Sequence, residues 1–147
     1  MIELQEMTSA HVAQIAELEK LCFSDPWSEN SVASELNNRL SLWLVAMDGD
    51  TVAGYIGSQS VLDGADMMNV AVHPDYRRQN IGKKLVVALC EALRAKSIQF
   101  LMLEVRQSNA PAIALYESLD FAQVGVRPNY YRNPKENALI MRKELSL

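Results

Sequence analysis

An apolar, strand-like run, Met67–Val72, is closed by Pro74 and followed by a basic, glycine-bearing turn. A segment with helical apolar spacing runs from about Ile81 to Lys96, and a second strand-like run, Gln99–Arg106, comes after it. Strand, helix, strand in that order is a crossover unit, whose handedness rule makes the two strands parallel neighbours in one sheet. The unit makes the chain mixed α/β: a mixed central sheet with flanking helices.

The flanking segments fit that frame. Ile2–Met7 reads as a short strand, and Thr8 or Ser9 can cap a helix to about Cys22 whose buried stripe is Val12, Ile15, Leu18, Leu21 and Cys22. Ser28 can cap a second helix to about Asn38, with Trp27 and Val32 at the positions of a hydrophobic staple. Ser41–Met47 and Thr51–Val61 form a hairpin through Asp48, Gly49 and Asp50, in which Gly54 and Gly57 let another backbone approach closely. A turn falls at Asp63 and Gly64. Asn109 caps a further helix that tolerates Pro111 in its first turn, and strands at about Ala122–Val126 and Ala138–Lys143 end the chain.

At 147 residues, 49% hydrophobic and 22% charged, with no repeat or linker-like stretch, residues 1–147 are expected to form one domain. The longest apolar runs, Leu42–Met47 and Leu85–Cys90, are six residues, and no basic apolar leader opens the chain, so neither secretion nor membrane spanning is expected. Cys22 and Cys90 lie far apart and neither histidine is near them, which excludes a zinc pattern and points to a reduced, cytoplasmic, metal-free protein. The net charge of −4 is segregated: residues 1–69 carry −9 and residues 70–147 carry +5. A basic half suits a polyanionic small ligand and an acidic half a cationic one; nucleic acid is not an expected partner.

The basic turn is the first candidate site. It runs from His73 through Arg77, Arg78, Gln79, Asn80, Ile81, Gly82, Lys83 and Lys84. Free amides at a helix N-terminus, the helix dipole and flanking cations together favour phosphate. The turn lacks the three spaced glycines of a dinucleotide fingerprint and the Gly-Lys-Ser/Thr ending of a P-loop. The pattern Arg77-x-x-Asn80-x-Gly82, after Val70-Ala71-Val72-His73-Pro74, resembles the acetyl-coenzyme A motif of the GNAT N-acetyltransferase superfamily. The resemblance implies that Val70, Ala71 and Val72 offer backbone groups to the pantetheine and thioester, and that Arg78, Gln79, Asn80, Ile81, Gly82 and Lys83 bind the pyrophosphate. Asn80 stands where the family usually has glycine; asparagine tolerates left-handed backbone better than most side chains.

The second candidate is Glu104, an acid inside an apolar strand, costly there unless paired or used. A salt bridge with a nearby arginine is the structural alternative to a catalytic role. On the following helix Asn109, Ile113 and Tyr116 share one face. The stretch from Glu104 to Glu117, with Pro26-Trp27-Ser28 and Asn129-Tyr130-Tyr131, resembles the RimI family of ribosomal-protein alanine N-acetyltransferases. That resemblance implies Glu104 as proton acceptor, Tyr116 as proton donor and Asn109 as a coenzyme A contact. It also implies acetyl-CoA as donor substrate and the basic N-terminal tail of a ribosomal protein as acceptor. Asp120 and Asn137 depart from the family pattern, the first expected to affect a turn and the second a substrate contact. Two other classes fit the cofactor motif: a GNAT enzyme for a lysine side chain, polyamine or aminoglycoside, and an inert coenzyme A-binding module.

Overall fold

A computed structural model describes residues 1–132 and 134–145. Its strands are β1 (Ile2–Glu6), β2 (Ser41–Asp48), β3 (Thr51–Val61), β4 (Gly64–Val72), β5 (Phe100–Arg106), β6 (Ala122–Tyr131) and β7 (Glu136–Glu144). Its helices are α1 (Val12–Cys22), α2 (Glu29–Ser34), α3 (Ile81–Ala95) and α4 (Ala110–Ser118). The strands form one mixed sheet in the order β1-β2-β3-β4-β5-β7-β6, in which the β4–β5 pair is parallel and the others antiparallel.

The helices start where the sequence provides caps. Thr8 caps a short 3-10 turn that leads into α1, Ser28 accepts from the Ser31 amide at the start of α2, and Asn109 accepts from Ala112 at the start of α4. The stretch after Ser28 is helical only to Ser34 and then tightens into a 3-10 turn, Glu35–Asn37. On α1 the buried stripe differs from the expected one. Leu21 is 60% exposed, whereas Glu19 is fully buried, at the i+4 position from Ile15.

Two apolar layers sandwich the sheet. On one face α3 and α4 pack on Leu42, Leu44, Ile56, Leu101 and Leu103. On the other, α1 and α2 pack on Trp43, Val45 and Tyr55 with Val32 and Trp27. Strand β5 is therefore not buried on both faces: Leu101, Leu103 and Val105 point to the α3–α4 core, and Met102, Glu104 and Arg106 alternate to the opposite, partly open face.

Three strands are longer than their apolar patterns. β4 begins at Gly64, β6 continues to Tyr131 and β7 begins at Glu136. The β6 and β7 extensions are exposed or half-exposed and mostly polar, so they give no apolar alternation, whereas in β4 the added Gly64 and Ala65 are buried and only Asp66 is exposed. Strand β4 pairs with β5 over three positions only, Gly64 with Phe100 to Asp66 with Met102. Its register with β3 then shifts, since Gly57 faces Asn69 while Ser58 faces Met67, leaving Met68 as the extra residue of a bulge. Beyond the bulge, β4 follows β3 and leaves β5 behind.

Gly57 lies against the indole of Trp43, and a Cβ there would overlap the ring. Gly57→Ala is expected to destabilise the fold by about 1–3 kcal/mol through overpacking. Urea unfolding should show a lowered midpoint with an unchanged slope.

Candidate active site

The site is built around the gap between β4 and β5. Past Asp66 the inner edge of β4 has no strand partner. His73 donates its amide to Ala53 on the β3 side, so the alternation of an extended chain turns the peptide groups of Val70 and Val72 the other way, toward β5. The Val72 carbonyl on that side accepts from Arg77 Nε at 3.4 Å and lies 3.8 Å from the half-buried Cys22 thiol. Ala71 takes the opposite parity: its side chain is buried beside Tyr55 in the α1 layer.

At the end of β4 a short 3-10 turn, Pro74–Tyr76, redirects the chain. Tyr76 donates to Asp48 at 2.7 Å, which anchors the turn to the end of β2 and holds the Asp48 carboxyl below the usual carboxylate range. Arg78 (φ 69°) and Asn80 (φ 61°) are both left-handed, so Asn80 adopts the conformation that a glycine in the family pattern would favour. The first amide of this region with a helical acceptor is Lys84, which donates to Asn80. Within the described residues, the amides from Arg78 to Lys83 have no hydrogen-bond acceptor. Four exposed cations, Arg77, Arg78, Lys83 and Lys84, surround them. A Cβ at Gly82 would meet nothing nearer than Val72 Cγ2 at 3.8 Å, so packing does not require glycine in this helical turn. Open amides, positive charge and a glycine kept in spite of its cost to the helix fit a close-lying pyrophosphate.

Glu104 and Tyr116 flank β5 from opposite faces. Glu104, whose side chain is 28% exposed, pairs with Arg127 of β6 at 3.4 Å, the arginine contact its position in the strand called for. Arg127 lies over the Tyr130 ring, whose hydroxyl pKa is raised chiefly by hydrogen bonding toward Glu104. Asp66, across the mouth of the gap, has its pKa raised by burial and by the Glu104 charge, partly offset by Arg127. Tyr116 is 5% exposed in the α3–α4 core and packs on Phe121 with ring centroids 5.6 Å apart. Burial raises its hydroxyl pKa, and Tyr131 adds to the shift. Tyr131 connects the two sides: its own hydroxyl is pushed up to about 12, first by burial and then by Glu104.

Tyr131 is held by Arg106, the next residue after Glu104 on the same face of β5. The guanidinium lies 4.4 Å from the Tyr131 ring centroid, donates to the carbonyls of Arg132 and Pro134 at 2.9 Å, and pairs with Glu136 at 3.3 Å. Glu136 in turn accepts the Ser108 amide at 2.6 Å. Asn137 belongs to the same clamp. Its Oδ1 accepts from the Asn129 amide and its Nδ2 donates to Gln107, so both ends of the side chain serve the framework where a substrate contact was expected. Asn109 caps α4 through Oδ1 at 3.2 Å and is otherwise exposed. Asp120 occupies a left-handed turn (φ 71°) after α4, where a glycine fits without strain.

The residues that periodicity did not single out are Glu19, Arg127 and the Arg106 clamp. Glu19 was legible as an acid on the apolar stripe of α1. Arg127 is paired through a long-range contact that no local pattern announces. Among the described residues no group of three or more histidine, cysteine or acidic side chains is placed to hold a metal ion, and no helix is long and apolar enough to cross a membrane.

Residues 12–121 match the acetyltransferase (GNAT) family. The chain belongs to the GNAT acetyltransferase family. This GNAT protein is 40% identical over 132 residues to the [ribosomal protein bS18]-alanine N-acetyltransferase of Escherichia coli strain K12, covering 88% of each chain. It is also 40% identical to the Salmonella typhimurium protein of the same name, covering 89% of each. It superposes on the crystal structure of the ribosomal-protein-S18-alanine N-acetyltransferase from Escherichia coli with a TM-score of 0.92 and 36% identity, over 100% of this chain and 96% of that one.

The open space at Gly82 gives a two-sided expectation. Gly82→Ala should stabilise α3 by up to about 1 kcal/mol, seen as a raised melting temperature, while weakening acetyl-CoA binding by calorimetry about tenfold or more, equivalent to about 1.4 kcal/mol. An unchanged affinity would remove the turn from the cofactor site.

Proposed function

We propose that this GNAT protein transfers the acetyl group of acetyl-CoA to the N-terminal α-amine of a protein, and that the acceptor is the N-terminal alanine of a small-subunit ribosomal protein with a basic tail. One observation carries the reading: an unpaired strand edge whose peptide groups face a gap, with a carboxylate on one side of β5 and a buried tyrosine on the other. The identity to curated enzymes acting on bS18 alanine supports the acceptor. In this reading residues 1–147 are one N-acetyltransferase domain acting in the cytoplasm, where ribosomal proteins and acetyl-CoA meet.

Acetyl-CoA is the donor substrate and supplies an activated thioester. The amides of Arg78, Gln79, Asn80, Ile81, Gly82 and Lys83 would receive its pyrophosphate, Val70 and Val72 its pantetheine arm through backbone groups, and Asn109 a further contact from the α4 side. Ala71 contributes by keeping β4 seated on the α1 layer. A protein N-terminus has a pKa of about 7.7 to 8.0 and is largely protonated at neutral pH, so a base must accept its proton before or during attack. Glu104, on the open face, takes that proton directly or through a water. A backbone N–H on the free edge of β4 stabilises the negative charge that develops on the thioester oxygen. As the carbon–sulfur bond breaks, Tyr116 gives its proton to the departing thiolate. Burial suits that role, because a hydroxyl with a raised pKa remains protonated through the working pH range.

The acceptor approaches from the face that carries Glu104. There Asp66 and Glu104 lie close together, and exposed Asp25 and Glu29 flank Trp27 at the entrance to α2. Their sign suits an arginine-rich tail.

Glu104→Gln is expected to keep acetyl-CoA affinity and lower turnover of an alanine-initiated peptide by about 10²- to 10⁴-fold. The loss should shrink as pH rises and the amine sheds its own proton; a pH-independent rate equal to that of the unmodified enzyme would exclude Glu104 as the base. Separately, kcat/KM for an Ala-Arg-rich peptide should fall as salt rises beyond roughly 0.1 M, where the Debye length is about 10 Å, while a neutral peptide with the same alanine should change little. Equal salt slopes for the two peptides would dissociate the acidic half from acceptor capture.

A further inference from the structure

Glu19 is a fully buried acid that the chemistry above does not use. Within the described residues no lysine, arginine or histidine pairs with it. Its carboxylate instead accepts three hydrogen bonds from three separate segments. The Trp27 amide donates to Oε1 at 2.8 Å, Asn69 Nδ2 donates to Oε2 at 2.8 Å, and the Tyr55 hydroxyl also donates to Oε2. Burying an acid is costly, and an aliphatic side chain would fill the same space without that cost. What a carboxylate adds is direction: strong hydrogen bonds to donors whose positions it fixes relative to one another.

Those donors lie where the proposed site is most sensitive to position. Asn69 stands between the bulge residue Met68 and Val70, on the stretch of β4 that has already parted from β5 after Asp66. Trp27 leads into α2, on the side from which the acceptor approaches. Its ring meets Trp43 edge-on at 5.4 Å, and Trp43 stacks on Tyr55 at 5.8 Å. One carboxylate thus fixes the Trp27 segment relative to the parted strand.

We infer that Glu19 is a positioning residue for acetyl transfer, tying the acceptor wall at Trp27 to the thioester strand at Asn69 across the α1 layer. The inference rests on the functional reading above, and it concerns the acceptor side, because the open amides from Arg78 to Lys83 have no contact with Glu19.

The test uses the full chain in four forms: wild type, Glu19→Gln, Asn69→Asp, and the double variant carrying both. In the double variant the charge moves across the same pair. The amide introduced on α1 can donate to the carboxylate introduced on β4 and still accept from the Trp27 amide, so the Asn69 tie is rebuilt with inverted polarity and the Trp27 tie is kept, while the Tyr55 hydroxyl turns from donor to acceptor toward the new amide. Glu19→Gln is expected to lower kcat/KM for an Ala-Arg-rich peptide about tenfold or more, as the loss of a charge-assisted bond implies, with acetyl-CoA affinity nearly unchanged because none of the Glu19 partners lies among the open amides from Arg78 to Lys83. The double variant should recover most of the loss. A role confined to general stability would move peptide kinetics, cofactor affinity and melting temperature together, and that result overturns the inference. So do unchanged peptide kinetics in Glu19→Gln, or a double variant that melts like wild type and recovers nothing. If Glu19→Gln does not fold, Asn69→Ala, which leaves the carboxylate two donors, should show the same split, and its absence overturns the inference. Wild-type failure on the peptide overturns the functional reading and this inference with it, whereas wild-type activity with indifferent variants overturns this inference alone.

Discussion

The parting of two parallel strands governs this molecule. Backbone N–H and C=O groups removed from water require partners, and a sheet normally provides them along its whole length. Here β4 and β5 pair at three positions and separate, after which a bulge at Met68 keeps β4 aligned with β3. The free edge at Val70 and Val72 is both a deficit in the fold and an offer to a ligand with polar groups of its own, such as the amide-bearing arm of acetyl-CoA. The turn that follows repeats the arrangement at another scale, with left-handed Arg78 and Asn80 leading into amides that the chain leaves open.

The rest of the fold keeps that opening rigid without closing it. Below the sheet α3 and α4 form the larger apolar layer and bury Tyr116. Above it, α1 and the aromatic group of Trp27, Trp43 and Tyr55 cover β2 to β4 and leave β5 partly open, so that Glu104 keeps access to solvent. Arg106 binds the β6–β7 connection through two carbonyls, a ring face and Glu136, which sets Tyr130 and Tyr131 near Glu104.

Much of this was legible in the residues because local rules and the fold agree. The crossover unit and the caps at Thr8, Ser28 and Asn109 follow from short-range chemistry, and the left-handed Asn80 from its place in the resembled motif. Gly54 meets the backbone expected of it, since a Cβ there would come within 2.8 Å of the Ala71 carbonyl, whereas at Gly57 the close neighbour is the Trp43 ring rather than a backbone. Where the reading failed, a tertiary contact decided. Leu21 fits an apolar stripe but sits off the buried arc, and Glu19 takes the inward position because three distant donors await it. β6 outruns its apolar pattern because its far end is held by pairing with β7 and by the Arg106 clamp rather than by burial. Glu104 stood out as an anomaly in its strand, but the half-open face of β5 and the pairing with Arg127 depend on β6, beyond the reach of periodicity.

The central claim is that transfer takes place through the gap, with the base on one face of β5 and the acid on the other. Its most direct test is a crystal structure with a bisubstrate analogue that joins coenzyme A to the α-nitrogen of an Ala-Arg peptide. The pyrophosphate is expected on the Arg78–Lys83 amides, the pantetheine arm along Val70 and Val72, the sulfur within hydrogen-bond reach of the Tyr116 hydroxyl, and the peptide nitrogen on the Glu104 face. A sulfur remote from Tyr116, or a peptide lying on the α3–α4 face, would contradict the claim.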